Sequence, residues 1–369
     1  MEYHPIKHLA PGWFAVVMGT GGLANIFYNW RLDFAPAAGA GIFLAGLTAG
    51  IYILLAGPWL VRWLRYFGYV RRDLHHPVTV NFFVMAGVGT AIVGTNISAI
   101  WSRWLPPACV YPLMLALWLV ACFIVTAFTF YTSFRLMRAE DPPDPAAMNF
   151  SWIMAPVANM ALLLLGNPLL TLAVTRHPGH AAPIFILNAI FFGIGFFLFI
   201  FLSSVIFARL AQYALPPATA TPTFGIFLGG AGLAVNAIVD MGENAEALGF
   251  FTAAPLLYFI SLTIWGFGFW IIGIITIICL HRLRRGGIPF SLAWWAFIFP
   301  LAAYTVASQK IAAWYGGPLT AGWAIFLTAL LALLWLYTFG QTLRGVLDKS
   351  LFTGAPLRAP EPASMPRSG

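Results

Sequence analysis

Charged residues are scarce in this chain of 369 residues: Asp, Glu, Lys and Arg together make up 8% of it, against 61% hydrophobic residues. Soluble domains carry about 25% charged residues, because polar groups must cover a surface that faces water. A chain with so little charge and a mean hydropathy of +0.86 needs lipid around it. The composition therefore excludes a soluble protein and predicts an integral membrane protein.

Cysteine is also rare, and its three positions, Cys109, Cys122 and Cys279, lie in or near apolar segments without paired spacing. This excludes a disulfide framework and a cysteine metal site. His75 and His76 are adjacent, so they cannot share one helix face, and no HExxH or GxSxG sequence occurs. An intramembrane enzyme, the alternative from another functional class, lacks the groups that it would need. We expect neither catalysis nor a bound cofactor or metal.

Long apolar runs are what the chain has in abundance. A bilayer core about 30 Å thick needs about 20 apolar residues per helix, and ten continuous segments reach that size. They do not alternate as the strands of a β-barrel do, so we predict one all-α domain over residues 1–348 and a disordered tail over 349–369. The predicted spans lie near 12–30, 37–61, 78–101, 108–134, 149–174, 182–208, 223–241, 250–280, 289–315 and 318–343.

The basic residues are distributed unevenly between the loops. With the N-terminus in the cytoplasm, 15 of the 19 Lys and Arg residues fall on the cytoplasmic side. This asymmetry is the positive-inside pattern, and it predicts a multi-pass protein of the inner (plasma) membrane with both termini in the cytoplasm. The net charge of +8 therefore belongs to one membrane face, and we expect no nucleic-acid partner.

Glycine and proline are concentrated in the odd-numbered spans, which carry the sequences PGWFAVVMGTGGLAN (11–25), HPVTVNFF (76–83), MAPVANM (154–160) and PTFGIFLGG (222–230). Small residues let helices approach closely or widen a lumen. The pattern predicts a ring of irregular helices inside a ring of regular ones. The acidic residues and Lys310 of the seventh and ninth spans fall near the outer ends, where we expect them to lie at the interface. Neutral polar groups are central, and these suit a weakly held anion: Thr20, Asn25, Asn81, Asn96, Asn159 and Asn236.

The ninth span contains FSLAWWAFIFP at 290–300, which places Pro300 and Phe299 inside an apolar run. Proline kinks a helix, and in a bilayer the kink must face protein or a cavity that satisfies the freed carbonyl. Phe299 is thus a candidate plug of a pore. The alternative is a helix bent for packing, with Phe299 as an ordinary aromatic at a helix interface.

Together, these sequences resemble the tellurite-resistance/dicarboxylate transporter family, over about residues 8–345. That family includes bacterial tellurite-resistance proteins, yeast malate permeases and sulfite efflux pumps, and plant guard-cell slow anion channels. The resemblance implies five helical hairpins around a central pore, lined by the odd-numbered helices and closed by a phenylalanine of the ninth. Phe299 fits that position best, with Phe297 as the alternative register. The resemblance also implies a homotrimer with one pore per subunit.

The function expected on these grounds is channel-like permeation of small anions: C4-dicarboxylates, sulfite, chloride, nitrate or tellurite. A proton-coupled dicarboxylate permease of the malate type is the alternative. Phe299 is the expected gate. The expected pore-lining or kink positions are Gly19, Thr20, Gly21, Gly22, Asn81, Phe82, Pro156, Asn159, Gly229, Gly230 and Pro300.

The charge asymmetry makes a topological prediction. A reporter that is active only in the cytoplasm should be active when it is fused after residue 348 and inactive when it is fused in the loop near Arg103. Activity measured in whole cells tests this. The opposite pattern, with the C-terminal fusion working only outside the membrane, would contradict the predicted orientation.

Overall fold

Every regular element is a helix in the part of the chain that the computed structural model describes, residues 4–138, 145–252 and 254–352. Short 3-10 turns join several of the α-helices. The α-helices are α1 (Phe14–Asn29), α2 (Pro36–Arg65), α3 (Phe67–His75), α4 (Val84–Ala99), α5 (Pro107–Met137), α6 (Met154–Ala161), α7 (Leu163–Arg176), α8 (Pro178–Gln212), α9 (Phe224–Ala247), α10 (Ala254–Leu283), α11 (Trp295–Tyr315) and α12 (Pro318–Leu347).

Nine helical segments of the described chain are long and apolar enough to cross a membrane. They correspond to the second to tenth predicted spans, so the prediction of an all-α membrane protein is confirmed. The first predicted span corresponds to α1, which has 16 residues and is not among the nine. The predicted tail is described only as far as Phe352, and residues 353–369 lie outside the described residues.

Burial alternates from one span to the next. Four of the nine spans, those that contain α4, α6–α7, α9 and α11, are 67–83% buried, whereas the other five are 11–33% buried. In α1, 13 of the 16 residues are buried as well. We call α1, α4, α6–α7, α9 and α11 the inner helices, and α2, α5, α8, α10 and α12 the outer helices. The inner helices are covered by other helices, and their spans are less hydropathic than those of the outer helices.

The inner helices contact one another in a closed circuit: α1 packs on α4, α4 on α7, α7 on α9, α9 on α11, and α11 on α1. Contacts between α1 and α11 advance in the same direction along both helices, with Gly19 against Ile298 and Gly22 against Ala302, so these helices are parallel. Each of the five inner helices begins within two residues of the end of a short 3-10 turn, such as Leu292–Trp294 before α11.

One end of the bundle is basic. The C-termini of the outer helices lie at the same end of the bundle as the N-termini of the inner helices. Each outer helix carries an arginine in its last turn: Arg65, Arg135, Arg209, Arg282 and Arg344. We call this the basic end. A cation in the last turn of a helix also interacts favourably with the helix dipole.

Glycines bring α9 and α11 into backbone contact. A Cβ atom on Gly232 would lie 2.5 Å from the backbone nitrogen of Tyr304, and one on Gly229 would lie 2.9 Å from Cβ of Pro300. A Cβ atom on Gly225 would collide with the carbonyl oxygen of Ala296. Because residues spaced four and three apart share one face of a helix, α9 presents a continuous glycine surface to α11.

The prolines of the inner helices lie where their freed carbonyls meet protein. Pro168 in α7 leaves the carbonyl of Leu164 without its helical partner. The hydroxyl of Thr95 on α4 lies 3.1 Å from that oxygen and 2.9 Å from the Ala91 carbonyl, so its proton is shared between them. Pro300 likewise frees the Ala296 carbonyl, which faces Gly225. Both freed carbonyls therefore lie inside the bundle, as required in lipid.

His76 caps the 3-10 turn Thr79–Phe82 at the start of the α4 span. Its Nδ1 accepts hydrogen bonds from the backbone nitrogens of Val78 (3.3 Å) and Thr79 (3.1 Å). An accepting nitrogen requires the neutral imidazole. Burial lowers the pKa of His76; Asp73 opposes this effect, and Arg72 and Arg135 add to it.

The glycine surface of α9 predicts a strong position dependence for Gly→Ala substitutions. Gly232→Ala should destabilise the protein by about 1–3 kcal/mol, because the new methyl meets backbone that cannot move aside. Gly273→Ala on α10 is the matched control, since a Cβ there meets nothing within 4 Å. Thermal unfolding in detergent compares the two, and equal midpoints would contradict the packing described.

The His76 cap predicts a pH dependence of stability. Because the pKa of His76 is lower in the folded state than its ordinary value, the unfolded chain binds the proton first as pH falls. The contribution of His76 to the free energy of unfolding is therefore complete above about pH 6.5 and is lost as the pH falls below that value. His76→Asn keeps an accepting oxygen that does not titrate. The midpoint of thermal unfolding should fall less between pH 7.5 and pH 5.0 in this variant than in the wild type. An equal fall in both proteins would contradict the capping role.

Candidate functional site

Phe299 lies between the two glycine-contacting faces of α11. Ile298 and Ala302 face the glycines of α1, whereas Ala296 and Pro300 face those of α9. Successive residues of an α-helix are about 100° apart. Phe299 therefore projects from the sector between these two neighbours. Only 4% of the residue is exposed.

The opposite sector of α11 faces the outer helices. Tyr304 donates its hydroxyl to the carbonyl of Trp265 on α10 (2.7 Å), and the indole of Trp265 donates to Ser308 (2.8 Å). Phe297 shares this sector, and its ring packs edge-on against Trp294. Since these residues mark the outer side, Phe299 faces the inside of the circuit of inner helices.

A polar belt joins the inner helices in their C-terminal halves. It contains at least one polar contact for each of the five helix pairs in the circuit, including an ion pair. In lipid each such group needs a partner within the protein, so the belt ties together the ends of the inner helices that lie away from the basic end. Its contacts are Asn96 to Asn25 (2.8 Å), Thr95 to the Leu164 carbonyl (3.1 Å), Thr171 to Asn244 (3.0 Å), Lys310 to Asp240, and Asn29 to Gln309 (3.0 Å).

Two cavities lie toward opposite ends of the bundle, and Phe299 lines neither. The belt cavity, of about 610 Å³, is lined by Asn167, Arg176 and Glu243 among others. The basic cavity, of about 710 Å³, lies at the basic end, between α5, α8, the 3-10 turn before α4 and the beginning of α6.

Comparison with known proteins identifies the family. The sequence profile of the family described as voltage-dependent anion channel (SLAC1) matches residues 8–343. The chain belongs to this family. The resemblance inferred from the sequence motifs is thereby confirmed, and so is the prediction of a membrane protein that permeates anions.

Individual relatives are similar over most of the chain. An uncharacterized transporter of Methanocaldococcus jannaschii is 27% identical over 308 residues, covering 83% of this chain and 84% of the relative. The sulfite efflux pump SSU1 of Arthroderma benhamiae is 24% identical over 95% of this chain and 94% of the pump. The S-type anion channel SLAH2 of Arabidopsis thaliana is 27% identical over 68% of this chain and 42% of the channel.

The structure of this family member places several predicted site residues against other inner helices. Gly19, Gly22 and Gly229 contact α11, and Gly229 meets Pro300 directly. Gly21 approaches Ile92 and Asn96 of α4 as well as Thr48 of α2. Asn81 and Pro156 line the basic cavity together, and Phe82 follows Asn81 as a half-buried residue of the same 3-10 turn. These predicted site residues thus lie at packing contacts near the beginnings and middles of the inner helices.

Three other predicted site residues contact outer helices. Thr20 accepts a hydrogen bond from the indole of Trp335 on α12 (3.1 Å), and Asn159 donates to Thr129 on α5 (2.7 Å). A Cβ on Gly230 would collide with the ring of Phe199 on α8. These contacts are those of helix packing between the two layers.

Sequence reasoning missed most of the polar belt. It named Asn25, Asn96 and Lys310 as polar or charged positions but not as site residues. It did not name the neutral polar residues Asn29, Thr95, Thr171, Asn244 and Gln309, which lie in the C-terminal halves of inner helices. The sequence did contain a signal: polar residues recur at a similar distance from the end of each glycine-rich span. Because buried polar groups in lipid must pair, residues at the same depth are candidates to contact one another.

Proposed function

We propose that this protein is a channel-like pathway for small anions, with ten membrane spans in five hairpins and a pore inside the circuit of inner helices. The observation that carries this proposal is the direction of Phe299. The ring lies on the inward sector of α11, between its contacts with α1 and α9, and is 4% exposed. A phenyl ring in a narrow apolar constriction blocks ions by size and by dewetting, so Phe299 is the proposed gate.

The orientation of the pathway follows from the basic end. We place this end and both termini in the cytoplasm and the protein in the inner membrane, in agreement with the positive-inside pattern. The arginines that end the five outer helices raise the local anion concentration at the inner mouth. A negative-inside potential then drives anions outward by about 2.3 kcal/mol per charge per 100 mV.

The proposed substrates are small inorganic and carboxylate anions, with sulfite, chloride, nitrate, tellurite and C4-dicarboxylates as the members to test. The polar groups of the belt support weak binding, since Asn25 and Asn96 offer neutral amides and the charge of Lys310 is balanced by Asp240. The printed functions of the sulfite pump and the S-type anion channel fall in the same substrate class. We also propose a homotrimer with one pore per subunit, as the family resemblance implies.

The gate is tested with a matched pair of substitutions. Phe299→Ala should raise anion flux by about an order of magnitude or more, because it removes most of the ring volume without adding charge. Phe297→Ala makes the same chemical change on the outer sector and should leave flux per folded molecule unchanged. Flux is measured in reconstituted liposomes for chloride, nitrate, sulfite and malate, after a check of monodispersity.

The same assay discriminates the alternatives. If Phe299 were only a packing residue, its truncation would cost about 3–5 kcal/mol and yield a poorly folded or inactive protein. A well-folded Phe299→Ala with unchanged flux would remove it as the gate, and increased flux in Phe297→Ala would transfer the role to that residue. Flux that requires a pH gradient, rather than following voltage alone, would favour the proton-coupled dicarboxylate permease.

A further inference from the structure

The basic cavity combines a cationic rim with an apolar side wall. Its rim includes Arg135, in the last turn of α5, and its side wall includes Leu198 and Leu202 of α8. Phe134 and Leu136, which also line it, are 59% and 40% exposed. The cavity is therefore open toward the surface that the spans present to lipid.

The guanidinium of Arg135 is held in place at this rim by backbone groups. It donates to the carbonyls of Leu74 and His75, at the end of α3. In the described residues no carboxylate pairs with Arg135, so its charge is not neutralised there. A guanidinium that is positioned by neutral carbonyls keeps its full charge and its remaining N–H donors for a phosphate oxygen.

Helix α3 extends the same surface. It is a nine-residue helix that exposes Phe67 (52%) and Tyr69 (39%) together with Arg71 and Arg72. Exposed aromatic rings next to arginines are typical of a segment at the level of lipid headgroups. The rim of the basic cavity thus lies at headgroup depth, and its apolar wall runs from there along α8.

We propose that the basic cavity is a binding site for an anionic phospholipid, with the phosphate at Arg135 and an acyl chain along Leu198 and Leu202. Basic pockets between transmembrane helices on the cytoplasmic side select anionic headgroups in this way. The lining also includes Asn81, in the 3-10 turn before α4, and Pro156, in the first turn of α6. A bound lipid therefore contacts the start of one inner helix and the turn that leads into another. The inference uses family membership and the basic end, and does not depend on the gate.

The test measures lipid binding directly, by native mass spectrometry of the full-length protein titrated with dioleoyl-phosphatidylglycerol or dioleoyl-phosphatidylcholine. The wild type should retain phosphatidylglycerol at lipid concentrations where phosphatidylcholine is lost. Arg135→Gln should weaken phosphatidylglycerol binding about five-fold, the effect of one arginine at an anionic membrane surface. Arg285→Gln is the matched control, because this exposed arginine lies at the same end but outside the cavity, and it should bind as the wild type does.

A second variant keeps the proposal testable if Arg135→Gln does not fold. Leu198→Trp fills the apolar wall, leaves every arginine and its backbone hydrogen bonds in place, and should reduce retention of phosphatidylglycerol. Equal retention of the two lipids by the wild type, or unchanged retention in Leu198→Trp, would overturn the proposal. Displacement of phosphatidylglycerol by millimolar inorganic phosphate would also overturn it, because the site would then recognise a free anion.

Discussion

The close approach of α11 to its two inner neighbours is the constraint on which the rest of this structure depends. Glycines of α1 and α9 remove the side chains that would otherwise separate the helices, and the backbone of α11 fits between them. With both flanks of α11 occupied, only two sectors remain for its other side chains. One faces the outer helices through Tyr304 and Ser308, and the other holds Phe299. The direction of the proposed gate is thus a result of packing at neighbouring positions and needs no special conformation at Phe299 itself.

Polar groups inside the bundle follow a second constraint, since lipid offers them no partner. The structure meets it by pairing between helices. Thr95 serves a carbonyl that Pro168 has freed, and Asn96 bridges to α1 through Asn25. These contacts lie away from the basic end, so the C-terminal halves of the inner helices are linked around the whole circuit while the glycine contacts connect their middles. The two kinds of contact divide the bundle into a hydrogen-bonded end and a close-packed centre.

Much of this architecture could be predicted from the sequence, because the bilayer restricts the choices. Hydropathy and length identified nine of the spans, and glycine and proline marked the more buried layer. The sequence favours Phe299 as the gate but leaves Phe297 as an alternative. They are two positions apart and project from nearly opposite sides of a helix, and only the neighbours of α11 show which side is inner. The same limit applies to Thr20 and Asn159: their polarity is visible in the sequence, but their partners on α12 and α5 are not. Belt contacts such as Asn29 to Gln309, 280 positions apart, leave no local pattern.

The parallel arrangement of the inner helices has an electrostatic consequence of its own. Each helix carries about half a positive elementary charge at its N-terminus and half a negative charge at its C-terminus. Five inner helices begin at the same end, each after a 3-10 turn, so their partial positive charges add at the basic end around the axis of the bundle. The antiparallel outer helices oppose this field from a greater distance. Backbone dipoles do not titrate and cannot be removed by a single substitution. The bundle therefore has a permanent polarity near its axis, positive at the basic end, that does not depend on the arginines.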